Sequence, residues 1–317
     1  MEFAISSFTD KGLAQVTLTD PSSRTQVTIL PDYGAMLHAF TVETKNGMHN
    51  VIDNYSNADE IKKELANSFK SSKLSPFACR IPGGKFMYDG EEFELENKFM
   101  DGSAIHGLLY NKAFKKSDSF FDEQKASVAF KYNYKEEDDG YPFNYICEIR
   151  YTLLPQHTLQ IQTTIINLDD LPIPIMDGWH PYFTLGGKID DSLLYFASDT
   201  IVEFDEKLIP TGRLLPYHEF NQPKKIEDVY LDNCFLLTGD KSYAACTLRN
   251  ESTGLQLNLF PDASYPYLQI YTPAHRKSIA IENLSAAPNA FNNNMGLMML
   301  KPRHTHTFTV HYQVDNK

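Results

Sequence analysis

The chain has 317 residues, of which 41 are Asp or Glu and 29 are Lys or Arg, giving a formal net charge of −12 with neutral histidines. Binding to nucleic-acid phosphates or to an anionic membrane needs a clustered positive surface, and no basic run here is longer than a pair. A hydrophobic fraction of 42% with 22% charged residues excludes disorder, and 13% aromatic residues alongside many Val, Ile and Thr suit a half-buried pleated surface, so one large β domain over residues 1–317 is expected.

The N-terminal MEFAISSFTDKG places acids and a lysine where a signal peptide needs an apolar stretch, and no run of about 18 apolar residues follows. Cys79, Cys147, Cys234 and Cys246 are scattered without CxxC spacing, which signals neither zinc nor disulfides. A cytoplasmic protein with free thiols is expected.

Period-2 alternation predicts strands at residues 14–18, 27–30 and 36–42. Asn57 before Asp59 and Glu60 then has the form of a helix cap, with Ile61, Leu65 and Phe69 at i, i+4 and i+8, predicting one short helix. Strands resume at 128–134. Tyr145, Cys147, Ile149, Tyr151 and Leu153 alternate, and Leu159, Ile161, Thr163 and Ile165 repeat the pattern after Pro155 and Gln156, as in a hairpin. Further strands are predicted at 255–260, 268–271 and 308–314. With no linker, repeat or low-complexity segment, the pattern is all-β, a sandwich or a barrel.

Five stretches hold polar residues in apolar settings. Arg80 lies between apolar residues ahead of Pro82-Gly83-Gly84, whose spacing fits no nucleotide-binding glycine fingerprint. A buried arginine must find acceptors, either a structural carboxylate or a hydroxylated ligand. His106 precedes Gly107, and His180 sits in Met176-Asp177-Gly178-Trp179-His180-Pro181-Tyr182-Phe183; such backbone irregularities aim side chains into clefts. Asp232 lies in an apolar setting, and Glu282 interrupts an otherwise buried strand, so it is either paired or tuned for use. His304 and His306 would share a strand face, but no third ligand accompanies them and no metal site is expected.

In this order, Arg80 in Arg-Ile-Pro-Gly-Gly-Lys-Phe, His106-Gly107, Gly140-Tyr141-Pro142-Phe143, His180 with Tyr182-Phe183, Leu208-Ile209-Pro210-Thr211-Gly212, and Glu282 followed by Pro288-Asn289-Ala290-Phe291-Asn292 resemble the aldose 1-epimerase family, the galactose mutarotases, over nearly the whole chain. The resemblance implies a single large antiparallel β-sandwich with the sugar cleft across one sheet. It implies interconversion of the α and β anomers of an aldose, with Glu282 as base, His180 as acid, and Arg80, His106 and Asp232 binding the sugar. Trp179, Tyr182 and Phe291 are candidates for packing on a sugar face. The reaction moves only protons, so no cofactor is expected, and the partner is a small monosaccharide rather than nucleic acid or membrane.

Gly178-Trp179-His180-Pro181 departs from the asparagine-histidine form commoner in mutarotases, which keeps the sugar open. A hexose 6-phosphate is one alternative, with Lys85, Arg276 or Lys277 near the phosphate, although the acidic net charge disfavours it. A non-catalytic sugar-binding module on the same fold and a glycoside hydrolase using Asp232 and Glu282 are the others.

Overall fold

The computed structural model describes residues 2–240 and 242–316. The predicted hairpin is one of its two longest ribbons. Asn144–Leu154 pairs antiparallel with Thr158–Asn167, setting Cys147 opposite Ile165, Tyr151 opposite Ile161 and Leu153 opposite Leu159, so the two apolar alternations share one buried face.

Among the described residues this hairpin lies in a nine-stranded antiparallel sheet that runs from Lys115–Phe121 at one edge, through Thr305–Asn316 and Leu255–Pro261, to Lys224–Lys225 at the other. An eight-stranded sheet stacks on it, with Asp232–Leu236, Tyr267–Tyr271, Ile279–Leu284 and Gly178–Trp179 as successive neighbours and Tyr182–Phe183 also paired to Ile279–Leu284. A five-stranded sheet is built from the chain's first strands, Ala4–Asp10 to Gly47–Asn50. The fold is an all-β sandwich.

Contacts between the two large sheets are dense. The Phe183 and Tyr312 rings lie 5.4 Å apart, the Trp179 and Tyr151 rings 6.0 Å apart, and the Tyr312 hydroxyl donates to Asn283 Oδ1 at 2.8 Å. Because side chains alternate across a strand, each residue facing this core leaves its neighbours on the opposite face of the eight-stranded sheet. That outward face carries the polar residues.

The predicted helix is Ala58–Ser68. Asn57 Oδ1 accepts from the backbone N–H groups of Asp59 and Glu60 at 3.0 and 2.9 Å, Glu60 accepts in return from the Ser56 N–H, and Ile61 and Leu65 are buried. Phe69 ends it in a left-handed cap with φ 48°. A second helix, Ala290–Asn293, corrects the expectation of one; a single turn of four residues is too short to display a helical period. His304 lies just outside the strand Thr305–Asn316 that contains His306, so the two histidines do not share a strand face. No helix among the described residues is long and apolar enough to cross a membrane.

Candidate active site

The floor of one cleft is read directly from strand register. Glu282 is opposite Gln269, Gln269 is opposite Cys234, and Asp232 is opposite Tyr271, which places Asp232, Tyr271, Gln269 and Glu282 on one face of three adjacent strands. Tyr182 joins them through its pairing opposite Ala280.

One wall comes from a two-stranded ribbon, Arg80–Ile81 paired with Ala104–Ile105. Cys79 and His106 flank it, the His106 N–H donates to the Cys79 carbonyl at 3.1 Å, and both residues adopt left-handed backbone with φ 55° and 58°. Non-glycine residues in that region are held there by their surroundings and cluster at functional sites. Gly107 shows what holds them: its own φ is 80°, and a Cβ there would come within 2.3 Å of the Ser75 carbonyl oxygen, to which Leu108 N–H donates at 2.8 Å. The glycine after the histidine lets the ribbon dock against Ser75.

His180 is clamped from both sides. Its N–H donates to the Ser72 carbonyl at 3.1 Å and its carbonyl accepts from Ser71 N–H at 2.8 Å, just beyond the helix cap. Its ring stacks on Tyr182 at 5.1 Å and meets His106 edge-on at 4.9 Å, while Phe69 covers His106 at 4.7 Å.

The cleft encloses about 260 Å³ and is lined by Arg80, His106, His180, Tyr182, Asp232 and Glu282, together with Phe69, Cys79, Gln269 and Tyr271 among others. Six residues singled out in the sequence therefore converge. Trp179 and Phe291 do not. Trp179, next to His180 on one extended segment, points to the opposite face, where it is 2% exposed and lies under Lys73 Nζ at 4.5 Å. Phe291 packs in the core on Phe86 and Phe77, with ring distances of 5.0 and 6.0 Å.

The anchors suggested for a sugar phosphate also lie elsewhere. Lys85 pairs with Glu92, Arg276 pairs with Asp190, and Lys277 lines a separate cavity beside Lys70 and His275. Gln269 and Cys79 were not assigned to the site from the sequence, although Gln269 interrupts a buried strand just as Glu282 does.

Glu282 is 2% exposed, and its Oε1 lies 3.4 Å from His180 Nε2. Its Oε2, like the Nδ1 atoms of His106 and His180, is buried without a hydrogen-bond partner. Burial, and secondarily the nearby Asp232, pushes the Glu282 carboxyl well above the usual carboxylate range. Burial pulls His180 down to about 4, and burial together with His180 and Arg80 holds His106 well below the usual imidazole range. Asp232 is raised by burial, against the opposing pull of Arg80 and a 2.9 Å hydrogen bond from Gln269 Nε2. Burial thus favours the neutral form of both members of the Glu282–His180 pair. Arg80 turns one nitrogen toward Asp101 at 3.3 Å on the rim. Cys79, His106 and Glu282 bring three metal-ligating atoms within 4.8 Å of one another.

A family model described as aldose 1-epimerase matches residues 14–313. Among characterised and uncharacterised relatives, the chain is 27% identical over 254 residues to the uncharacterized protein YihR of Escherichia coli (strain K12), covering 77% of this chain and 79% of that one. It is 28% identical over 218 residues to the galactose mutarotase of Homo sapiens, covering 62% of this chain and 59% of the human protein. Among solved structures, a galactose mutarotase-like protein from Clostridium acetobutylicum superposes over 100% of this chain and 99% of its own, with a TM-score of 0.88 at 16% identity, a likeness of fold.

Proposed function

The chain belongs to the aldose 1-epimerase family, and from that premise we propose that it interconverts the anomers of a free, uncharged aldose through Glu282 and His180. The observation that carries this is the 3.4 Å approach of His180 Nε2 to Glu282 Oε1 in the cleft, between two groups whose burial favours the neutral form of each.

Ring opening needs an acceptor for the anomeric hydroxyl proton and a donor for the ring oxygen. With one proton between them, placed on His180, the pair offers both, a carboxylate and an imidazolium. Glu282 takes the hydroxyl proton, His180 gives its proton to the ring oxygen, and the bond between the anomeric carbon and the ring oxygen breaks to leave an aldehyde. Rotation about the adjacent C–C bond and the reverse transfers close the ring on the other face. The pair again holds one proton, now available for the next sugar.

His106 and Arg80 lie on the wall where they donate to the ring oxygen or its neighbouring hydroxyls, stabilising charge that develops there. Asp232, oriented by Gln269, accepts from sugar hydroxyls and fixes the ring. Tyr182 offers an aromatic face beside His180. An uncharged sugar is favoured because Arg80 is the only arginine or lysine lining the cleft among the described residues, and it faces Asp101 and Asp232. The site draws on segments from Phe69 to Glu282, in keeping with one domain spanning residues 1–317.

Polarimetry on freshly dissolved α-glucose, α-galactose and a panel of other aldoses with their 6-phosphates tests the proposal. Faster approach to the equilibrium rotation is expected for at least one free aldose. No acceleration of any of them refutes the enzyme, and release of a free sugar from a glycoside would identify a hydrolase instead.

A further inference from the structure

We propose that the same cleft binds a borderline-soft divalent cation such as Zn²⁺ through Cys79 Sγ, a His106 ring nitrogen and a Glu282 carboxylate oxygen, and that the bound cation blocks the sugar reaction. The blocking rests on the function proposed above; the binding does not.

The three ligand atoms already lie within 4.8 Å of one another. Bonds of about 2.0 to 2.3 Å in a tetrahedral zinc site set ligand atoms roughly 3.3 to 4 Å apart, so the set closes with side-chain shifts of about 1 Å. One sulfur, one nitrogen and one oxygen suit zinc and its neighbours. They do not suit magnesium or calcium, which take oxygen ligands.

A second observation points to a ligand. His106 Nδ1 and Glu282 Oε2 are buried without hydrogen-bond partners on side chains only 8% and 2% exposed. Such atoms carry the cost of desolvation with nothing to offset it, and a cation bound between them would satisfy both. Two of the ligands are also fixed relative to each other in advance, because His106 N–H donates to the Cys79 carbonyl and both residues are held in left-handed backbone. The fourth coordination position opens into the cleft, where water or a sugar hydroxyl has access.

The spacing in the chain conceals this set. Cys79, His106 and Glu282 come from three separate segments, and among the described residues no other group of three His, Cys, Asp or Glu side chains converges as closely. Binding displaces the Cys79 thiol proton, and any proton on the Glu282 carboxyl, to solvent and converts Glu282 from base to ligand, so the anomeric proton has no acceptor. A cation there is an inhibitor.

Titrating the metal-free full chain with Co²⁺ tests the site without reference to activity. One equivalent is expected to give strong visible bands of four-coordinate cobalt and a near-ultraviolet thiolate-to-cobalt band, both bleached by Zn²⁺. Cys79→Ser should remove the thiolate band and weaken Zn²⁺ binding by at least about tenfold, since the thiolate is the softest donor of the set. Because Cys79→Ser can disturb the ribbon, alkylation of Cys79 in the unaltered protein, followed by mass spectrometry, provides a second measurement; Zn²⁺ should slow it at least about tenfold by occupying the thiolate. A wild-type spectrum without the thiolate band, or alkylation unaffected by Zn²⁺, overturns the site. A thiolate band in a protein that accelerates no mutarotation would overturn the proposed function and leave the cation site standing, whereas an active enzyme indifferent to Zn²⁺ would refute the blocking.

Discussion

Two clusters of buried ionisable groups lie back to back across the same short strands, and they are treated in opposite ways. On the core side, Lys73 Nζ donates to Asp177 at 2.6 Å, to Thr163 Oγ1 at 3.1 Å and to the Gly178 carbonyl at 3.2 Å, and the Tyr265 hydroxyl also donates to Asp177 at 2.6 Å. Lys73 and Asp177 are wholly buried, every ammonium proton has an acceptor, and Asp177 Oδ2, which accepts no hydrogen bond, lies against the ammonium at 2.6 Å. On the cleft side, Glu282, His106 and His180 are nearly as buried, yet each retains a polar atom with no partner. A buried charge held against its opposite fixes geometry, and a buried acid or base without one is available for chemistry. The two are mechanically joined, because Trp179 and His180 follow Asp177 and Gly178 directly, and the Ser285 hydroxyl, just beyond the strand that carries Glu282, accepts from the Asp177 N–H at 2.8 Å. The core cluster is thereby tied to the segments that carry His180 and Glu282.

The contrast is broken or sharpened most strongly at Glu282. Glu282→Gln should lower the mutarotation rate by about 10² to 10⁴, the usual worth of a positioned proton-transfer group, with the melting curve retained. Polarimetry showing more than a tenth of the wild-type rate would remove Glu282 from the chemistry. On the other side, Asp177→Ala leaves an unpaired ammonium in the core and should cost about 3 to 5 kcal/mol in urea unfolding, whereas Lys73→Met with Asp177→Leu should recover most of it. A small loss in the single variant would mean that the core cluster is no better compensated than the cleft.

A smaller effect is expected at Asp232, where one oxygen is held by Gln269. Asp232→Asn should raise KM about ten- to a hundredfold, since a hydrogen bond to a charged group is worth roughly 1.5 to 3 kcal/mol, with kcat affected less. Equal loss in both would move Asp232 from binding into proton transfer.

The pH dependence is the subtlest test. As pH falls through about 4, His180 gains a proton while Glu282 keeps its own, so no acceptor remains and the rate should drop. As pH rises through the raised Glu282 value the pair loses its one proton, and the rate should drop again, giving a bell with apparent values that belong to the pair. Stability follows the same proton. Glu282 titrates higher folded than unfolded, so its contribution is complete below the unfolded value of about 4.3 and is lost as pH rises through the folded value. Glu282→Gln should flatten that decline in denaturation curves taken across the interval, and an unchanged slope would place the carboxyl in an ordinary environment.

Legibility in the sequence followed burial. The hairpin 144–167 was readable because each strand has one buried and one half-buried face, and the helix because a cap and two buried apolar residues share its period. Ala4–Asp10 and Lys115–Phe121 escaped because both are edge strands exposed along nearly their whole length, so no apolar alternation marks them. In the site, Arg80, His106, His180, Asp232 and Glu282 stood out as polar residues in apolar surroundings, and Gln269 carried the same signal unheeded. Trp179 and Phe291 misled because an aromatic residue beside a polar one has the same sequence whether it faces a cleft or a core.

The period of the strands, the capped helix, the family and the set of polar residues too costly to bury without purpose can be read from the chain alone, because each is written in local spacing or in residue type. Only the tertiary structure decided which face each residue takes, that Glu282 and His180 touch, and that Cys79 joins His106 and Glu282 across three segments. Those are matters of register and of sheet stacking, in which residues far apart in the chain become neighbours and a shift of one position exchanges core for cleft.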